Sequence, residues 1–150
     1  MVVTDGDVLA LRAFLAGDNA QLGRLTEGSN RVPDDRFAAL VAAAFVTAVQ
    51  RRWPGEAPRA SIIGVVARLR SRDREIADLI DPLDAETLIG ATLTDPSAAA
   101  ALSAKAKATQ VPLLRQLIDE AELDDDGLDA LLAEARVVVV RMTVAPSHHR

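Results

Sequence analysis

The sequence predicts an all-α fold, a single compact bundle of about seven to nine helices, several of them short, built around a central helix at 33–53. Three observations predict it. Of the 150 residues, 28 are Ala and 19 Leu, both strong helix formers, against an aromatic content of 3%. Apolar residues recur at i, i+3, i+4 and i+7 in segment after segment. Between those segments stand Asp-Pro pairs, Gly and acidic caps that start or stop helices. A chain of this length can bury about 70% of its unfolded surface, enough for one real core.

Val8, Leu11, Phe14 and Leu15 mark a first helix at about 5–16, with Thr4 or Asp5 before it and Gly17 as the stop. Asp18 and Gln21 have capping-box spacing, which with Leu22 and Leu25 predicts a short second helix ending at Gly28. Residues 28–33 read as a loop. Phe37, Leu40, Val41, Ala44, Phe45, Ala48 and Val49 follow the helical period without a miss. The opposite side carries Ala38, Ala39, Ala42 and Ala43, so this third helix is expected to be packed on more than one side. Trp53-Pro54-Gly55 ends it.

Pro58 suits a first helical position, and Ile62, Val65, Val66 and Leu69 form the face of a fourth helix reaching about 71. Asp73 can cap a short fifth helix holding Ile76, Leu79 and Ile80. Asp81-Pro82 opens a sixth with Leu88, Ile89 and Leu93, and Asp95-Pro96 repeats the device before an alanine-rich seventh at about 96–108. Pro112 is expected to divide that helix from an eighth carrying Leu113, Leu114, Leu117, Ile118 and Ala121. Asp124-Asp125-Asp126-Gly127 caps the last helix, which holds Leu128, Leu131, Leu132 and Ala135. Val137–Val140 has the β-branched character of a strand, but no partner strand is evident, so the helix is expected to continue to about 142. The domain thus spans 1–144, with 145–150 a tail.

Composition excludes several function classes. With no cysteine there are no disulfides, thiolate metal sites or thiol nucleophiles. Asp5 and Asp7 precede any basic region, unlike a signal peptide, and the longest uncharged stretch, Phe37–Gln50, falls short of the roughly 18–20 residues of a membrane span. A soluble, cytoplasmic protein without membrane contact is expected. Fifteen arginines to two lysines, with abundant alanine, is the usage of a GC-rich, bacterial genome. No Walker A or G-x-G-x-x-G pattern occurs, and the two histidines, His148 and His149, lie in the tail where nothing would position a base or ligand.

Charge is segregated. Residues 36–74 hold eight basic and two acidic side chains, whereas 75–135 hold three and fourteen. Arg51, Arg52, Arg59, Arg68, Arg70, Arg72 and Arg74 can form a phosphate-binding surface, since each guanidinium offers paired donors. The plainer reading is that most of them offset helix dipoles at C-terminal turns or pair with the acidic segments.

Three local patterns suggest sites. Glu75–Ile80, a turn, and Ala85–Leu88 resemble the helix-turn-helix pattern of bacterial transcription regulators, a resemblance that implies DNA binding by the second helix. That helix carries Asp84 and Glu86 and no Lys or Arg, and Asp81 stands where such motifs place glycine. Glu122–Gly127 looks like the opening of an EF-hand calcium loop. The twelfth position is Ala133 instead of a bidentate glutamate, so helix capping by Asp124 or Asp125 explains the cluster more simply. Glu75 and Asp78 have the Glu-x-x-Asp spacing of all-α nucleotide pyrophosphohydrolases, a resemblance that implies Mg²⁺-dependent phosphate hydrolysis; the preceding Glu-x-x-Glu is missing.

These readings leave no catalytic constellation and no cofactor. The alanine-rich 98–108 and valine-rich 137–144 segments offer more apolar area than one core needs, and either close the bundle or serve association. The leading expectation is a non-enzymatic protein–protein interaction module, adaptor or regulator, whose partner is another protein, with a second copy of the chain as a further candidate. A nucleic-acid-associated regulator using the arginines of 51–74 comes second, and a Mg²⁺-dependent phosphohydrolase third.

Overall fold

The structure, a computed structural model, describes residues 3–16, 35–55, 57–72, 74–95 and 104–144. All regular structure among them is helical: α1 (Asp5–Ala16), α2 (Asp35–Arg52), α3 (Arg59–Arg70), α4 (Arg74–Leu79), α5 (Pro82–Thr94), α6 (Ala104–Ala121) and α7 (Asp125–Val144). The expected second helix, the loop at 28–33, the start of the alanine-rich helix and the tail lie outside the described residues. No helix among the described residues is long and apolar enough to cross a membrane. The chain forms two compact units, residues 1–47 with 123–150, and residues 48–122.

In the first unit α1 packs on α7. α1 starts at a reciprocal cap: the Thr4 N–H donates to Asp7 Oδ2 (2.9 Å) and the Asp7 N–H to Thr4 Oγ1 (3.2 Å). Leu11, Ala13 and Leu15 are its buried residues. Two arginines hold the pair together. Arg12 Nε donates to Asp129 Oδ1 (2.6 Å), and a second nitrogen of Arg12 lies 3.3 Å from Asp125. The hydrogen bond from Arg12 to Asp129 and the charges of both carboxylates raise the guanidinium pKa, against the opposing effect of desolvation. From α7, Arg136 donates to Asp5 Oδ1 (2.7 Å) and to the carbonyl of the buried Val3 (2.8 Å).

α7 begins where expected. The Asp124 carboxylate accepts the Gly127 N–H (2.7 Å), and its carbonyl accepts the first helical bond from Leu128 (2.9 Å). Leu128, Leu131, Leu132, Ala135 and Val139 form its buried face. The helix runs through Val137–Val140 without a break, as expected for a run with no strand to pair with.

α2 is buried all round over two turns: every residue from Ala43 to Val49 is buried, and Gln50, Arg51 and Arg52 beyond them are exposed. The hydroxyl of buried Thr47 donates to the Ala43 carbonyl (2.9 Å), so it brings no unmet polar group.

In the second unit α5 packs on both α3 and α6, while α4 packs on α3 and α6. Ile62, Val65, Val66 and Leu69 of α3, Ala85, Leu88 and Ile89 of α5, and Leu113, Leu114, Leu117 and Ile118 of α6 form its core. Asp81 caps α5 by accepting the Asp84 N–H (2.9 Å), with Pro82 in the first turn. Pro58 is the residue just before α3, where its carbonyl accepts the Ser61 N–H (2.9 Å). The expected division at Pro112 does not occur, and α6 continues through it. Proline removes one backbone bond at a cost of about 3 kcal/mol, and the buried face from Leu113 to Ile118 outweighs that cost.

Candidate functional site

The arginines of 51–74 were the strongest candidate site in the sequence, and the structure turns several of them inward to acceptors of their own unit. Arg52 ends α2 and Arg68 lies in the last turn of α3. Both reach the same carboxylate on α6. Arg52 Nε donates to Glu120 Oε1 (3.3 Å), and Arg68 Nε donates to Glu120 Oε2 (2.9 Å). The Glu120 side chain is only 17% exposed. One helical turn earlier, Gln116 Oε1 accepts from Arg72 (3.3 Å). Gln116 and Glu120 thus form an acceptor strip that ties the ends of α2 and α3 to α6.

Arg70 has a different task. Its Nε donates to the Ile80 carbonyl (2.7 Å) and a terminal nitrogen donates to the Ala77 carbonyl (3.2 Å). These carbonyls close the short helix α4, whose final C=O groups have no intrahelical donors, so a cation there satisfies both hydrogen bonding and dipole. Arg51, Arg59 and Arg74 are exposed, and no ion pair among the described residues joins Arg59 or Arg74 to a carboxylate. The guanidinium of Arg52 also lies 5.1 Å from the centre of the buried Trp53 ring, whose Nε1 donates to Ser61 Oγ (3.0 Å). Chemically this is an intramolecular clamp: the bidentate donors that would grip a phosphate already hold a carboxylate and two carbonyls.

The helix-turn-helix-like stretch becomes α4 and α5, joined through Ile80 and Asp81. The would-be recognition helix buries Ala85, Leu88, Ile89 and Thr92 and contains no Lys or Arg, so it offers DNA phosphates nothing to pair with. Leu79 is 62% and Leu83 65% exposed on either side of the turn. Leu79 and Ile80 were both read into this short helix; Leu79 ends it, exposed, and Ile80 follows it, buried.

Glu75 and Asp78 are exposed on α4. In the acidic cluster of 122–127, the Asp124 carboxylate is engaged with the Gly127 N–H, and α7 has begun by Asp125. Among the described residues no three His, Asp or Glu side chains are placed to hold a metal ion. His148 and His149 lie outside the described residues.

The feature that remains is a stripe on α7. Ala130, Ala133, Val137 and Val140 are all exposed, the two valines at 50% and 58%. At about 100° per residue they span an arc of about 80°, centred nearly opposite the buried face of Leu128, Leu131, Leu132, Ala135 and Val139. The valine run singled out in the sequence therefore serves two surfaces, Val139 inward and Val137 and Val140 outward. The side chains of 101–108, the other expected apolar surplus, lie outside the described residues. Sequence reasoning missed Glu120 and Gln116, for which no local signal exists, since their bonds join residues 44 to 68 positions apart. No protein-family model matches the chain, and no curated protein or solved structure matches it significantly.

Proposed function

We propose that this chain is a non-enzymatic protein-binding module, an adaptor or regulator acting in the cytoplasm, whose contact surface is the outward stripe of α7. The observation that carries this reading is the exposure of Val137 and Val140 on a helix whose other face is fully used in its own unit. Two half-exposed valines in line with Ala130 and Ala133 leave apolar area in water that a partner would remove. The lack of cysteine suits a reducing compartment, and the arginine-rich, alanine-rich composition suits a bacterial source. The nucleic-acid alternative has less support, because Arg52, Arg68, Arg70 and Arg72 are engaged within the unit.

The test is affinity capture from a cell lysate with the full chain, comparing it with Val137→Lys and Val140→Lys. Both positions are exposed, so the variants are expected to keep the fold, which circular dichroism checks. Specific partners held by the native chain and lost by both variants support the reading. Partners retained by both variants, or lost only when nuclease or salt is added, refute it.

A further inference from the structure

We infer that the elbow between α4 and α5 is a docking surface for a basic, apolar-faced helix of a partner protein, gripped by Leu79 and Leu83 inside a frame of carboxylates. The elbow belongs to the second unit and owes nothing to the α7 stripe, so the two readings stand or fall separately. Leu79 and Leu83 are the most exposed large apolar side chains among the described residues. One ends α4 and the other lies in the first turn of α5, four positions on, a span of at most about 14 Å that three turns of a partner helix can cover. The junction between them is held from both sides. Arg70 donates to the carbonyls of Ile80 and Ala77 at the end of α4, Asp81 caps α5, and the Ile80 side chain is fully buried. A braced elbow of this kind keeps both leucines in water when no partner is present and loses little freedom when one binds.

Charge decides the occupant. From Glu75 to Asp95 the chain carries six carboxylates and no Lys, Arg or His. Asp78 precedes Leu79, Asp81 stands between the two leucines, and Glu86 follows three residues after Leu83. Asp78 and Asp81 are exposed and Glu86 is half-buried, and no ion pair among the described residues involves any of the three. Arg70 is the cation that reaches the junction. Its Nε and one terminal nitrogen are taken by the two carbonyls, so three carboxylates stand against one engaged guanidinium. Such a frame repels nucleic acid, anionic lipid and the identical elbow of a second copy. It attracts a helix whose apolar anchors are bordered by Lys or Arg.

Fluorescence anisotropy with the full chain tests this, using a fluorescein-labelled peptide of about 18 residues built from Leu and Lys at helical amphipathic spacing. Two control peptides accompany it, one with Ser in place of every Leu at the same charge, the other with Glu in place of every Lys on the same apolar face. The native chain should bind the Leu/Lys peptide at least about tenfold more tightly than either control. Leu79→Ser and Leu83→Ser should each weaken that binding by about tenfold, as expected for one leucine no longer buried, with an unchanged circular dichroism spectrum. Asp78→Asn combined with Glu86→Gln, which leaves the Asp81 cap in place, should weaken it and flatten its salt dependence. Val137→Lys should bind the peptide as the native chain does, so a failure of the α7 reading is distinguishable from a failure of this one.

No binding at peptide concentrations up to about 1 mM overturns the inference. So does binding that both leucine variants retain, or equal binding of the Ser control, since either would reduce the interaction to the chain's net charge of −5. Binding lost in Val137→Lys but kept in Leu83→Ser would move the peptide to α7. A dimer of the native chain that Leu83→Ser dissociates would give the elbow to a second copy, and retention on vesicles of anionic phospholipid that Leu83→Ser abolishes would give it to a membrane; each refutes a basic helix as the occupant.

Discussion

Replacing Glu120 with alanine removes the single carboxylate that receives both Arg52 and Arg68, and its consequences can be worked from the geometry. The Glu120 side chain is 17% exposed, whereas those of Arg52 and Arg68 are 39% and 54% exposed. Exposed ion pairs are worth about 0.2–1 kcal/mol, and hydrogen bonds to charged groups in less accessible places about 1.5–3 kcal/mol. With one shielded partner and two half-exposed ones, about 0.5–1 kcal/mol per pair is appropriate, or about 1–2 kcal/mol for the two. For a chain of this size each kcal/mol moves the melting temperature by about 2–4 °C, so Glu120→Ala should lower it by about 2–8 °C. The loss should shrink at high salt. Thermal melts followed by circular dichroism measure it, and cycles with Arg52→Ala and Arg68→Ala assign it to each pair. A second readout follows from the same geometry: freed guanidinium groups turn to solvent, so the variant should be retained longer on heparin. A melting temperature within about 1 °C of the native value, with unchanged heparin retention, would refute the clamp and return these arginines to the pool available for ligands.

Asp81→Ala deletes the side-chain cap of α5 and should cost about 1 kcal/mol, measured by urea unfolding; Asp81→Asn, which keeps an acceptor, should recover most of it. Phe45→Ala, at a wholly buried position of α2, should cost about 3–5 kcal/mol and leave a chain that unfolds at much lower urea. Pro112→Ala should stabilise by about 1–2 kcal/mol, because the restored N–H can complete the α6 backbone ladder and this gain exceeds the lost restriction of the unfolded chain. No gain at Pro112 would mean that the helix around it is already adjusted to the missing bond.

The parts of this fold that were legible in the sequence are those decided within a few residues. The caps at Thr4, Asp81 and Asp124 each bond to a residue three positions on. The inward faces of α3, α5 and α7 follow a period that the chain displays openly. The valine run was legible as helix by exclusion, since a strand needs a partner and none was on offer. Pro112 was misread because local chemistry and packing disagree there, and the sequence displays only the first. A missing hydrogen bond is visible in one letter; the compensating burial of Leu113, Leu114, Leu117 and Ile118 depends on what α5 brings to them.

The charge segregation shows how far such reasoning reaches. A basic middle segment beside an acidic one implies mutual neutralisation or an external ligand, and counting charges cannot choose between them. The choice lies in the register of α6 against α2 and α3, which places Glu120 between Arg52 and Arg68 and leaves the neutral Gln116 to receive Arg72. Once those donors are engaged inside the unit, the electrostatic route to a partner narrows. The valines at 137 and 140 are under no comparable demand, because Val139 and Ala135 already serve the buried side of α7. Burial on one face and surplus on the other is what separates a helix that only completes a core from one that can also meet a second protein, and α7 has both in a single run of residues.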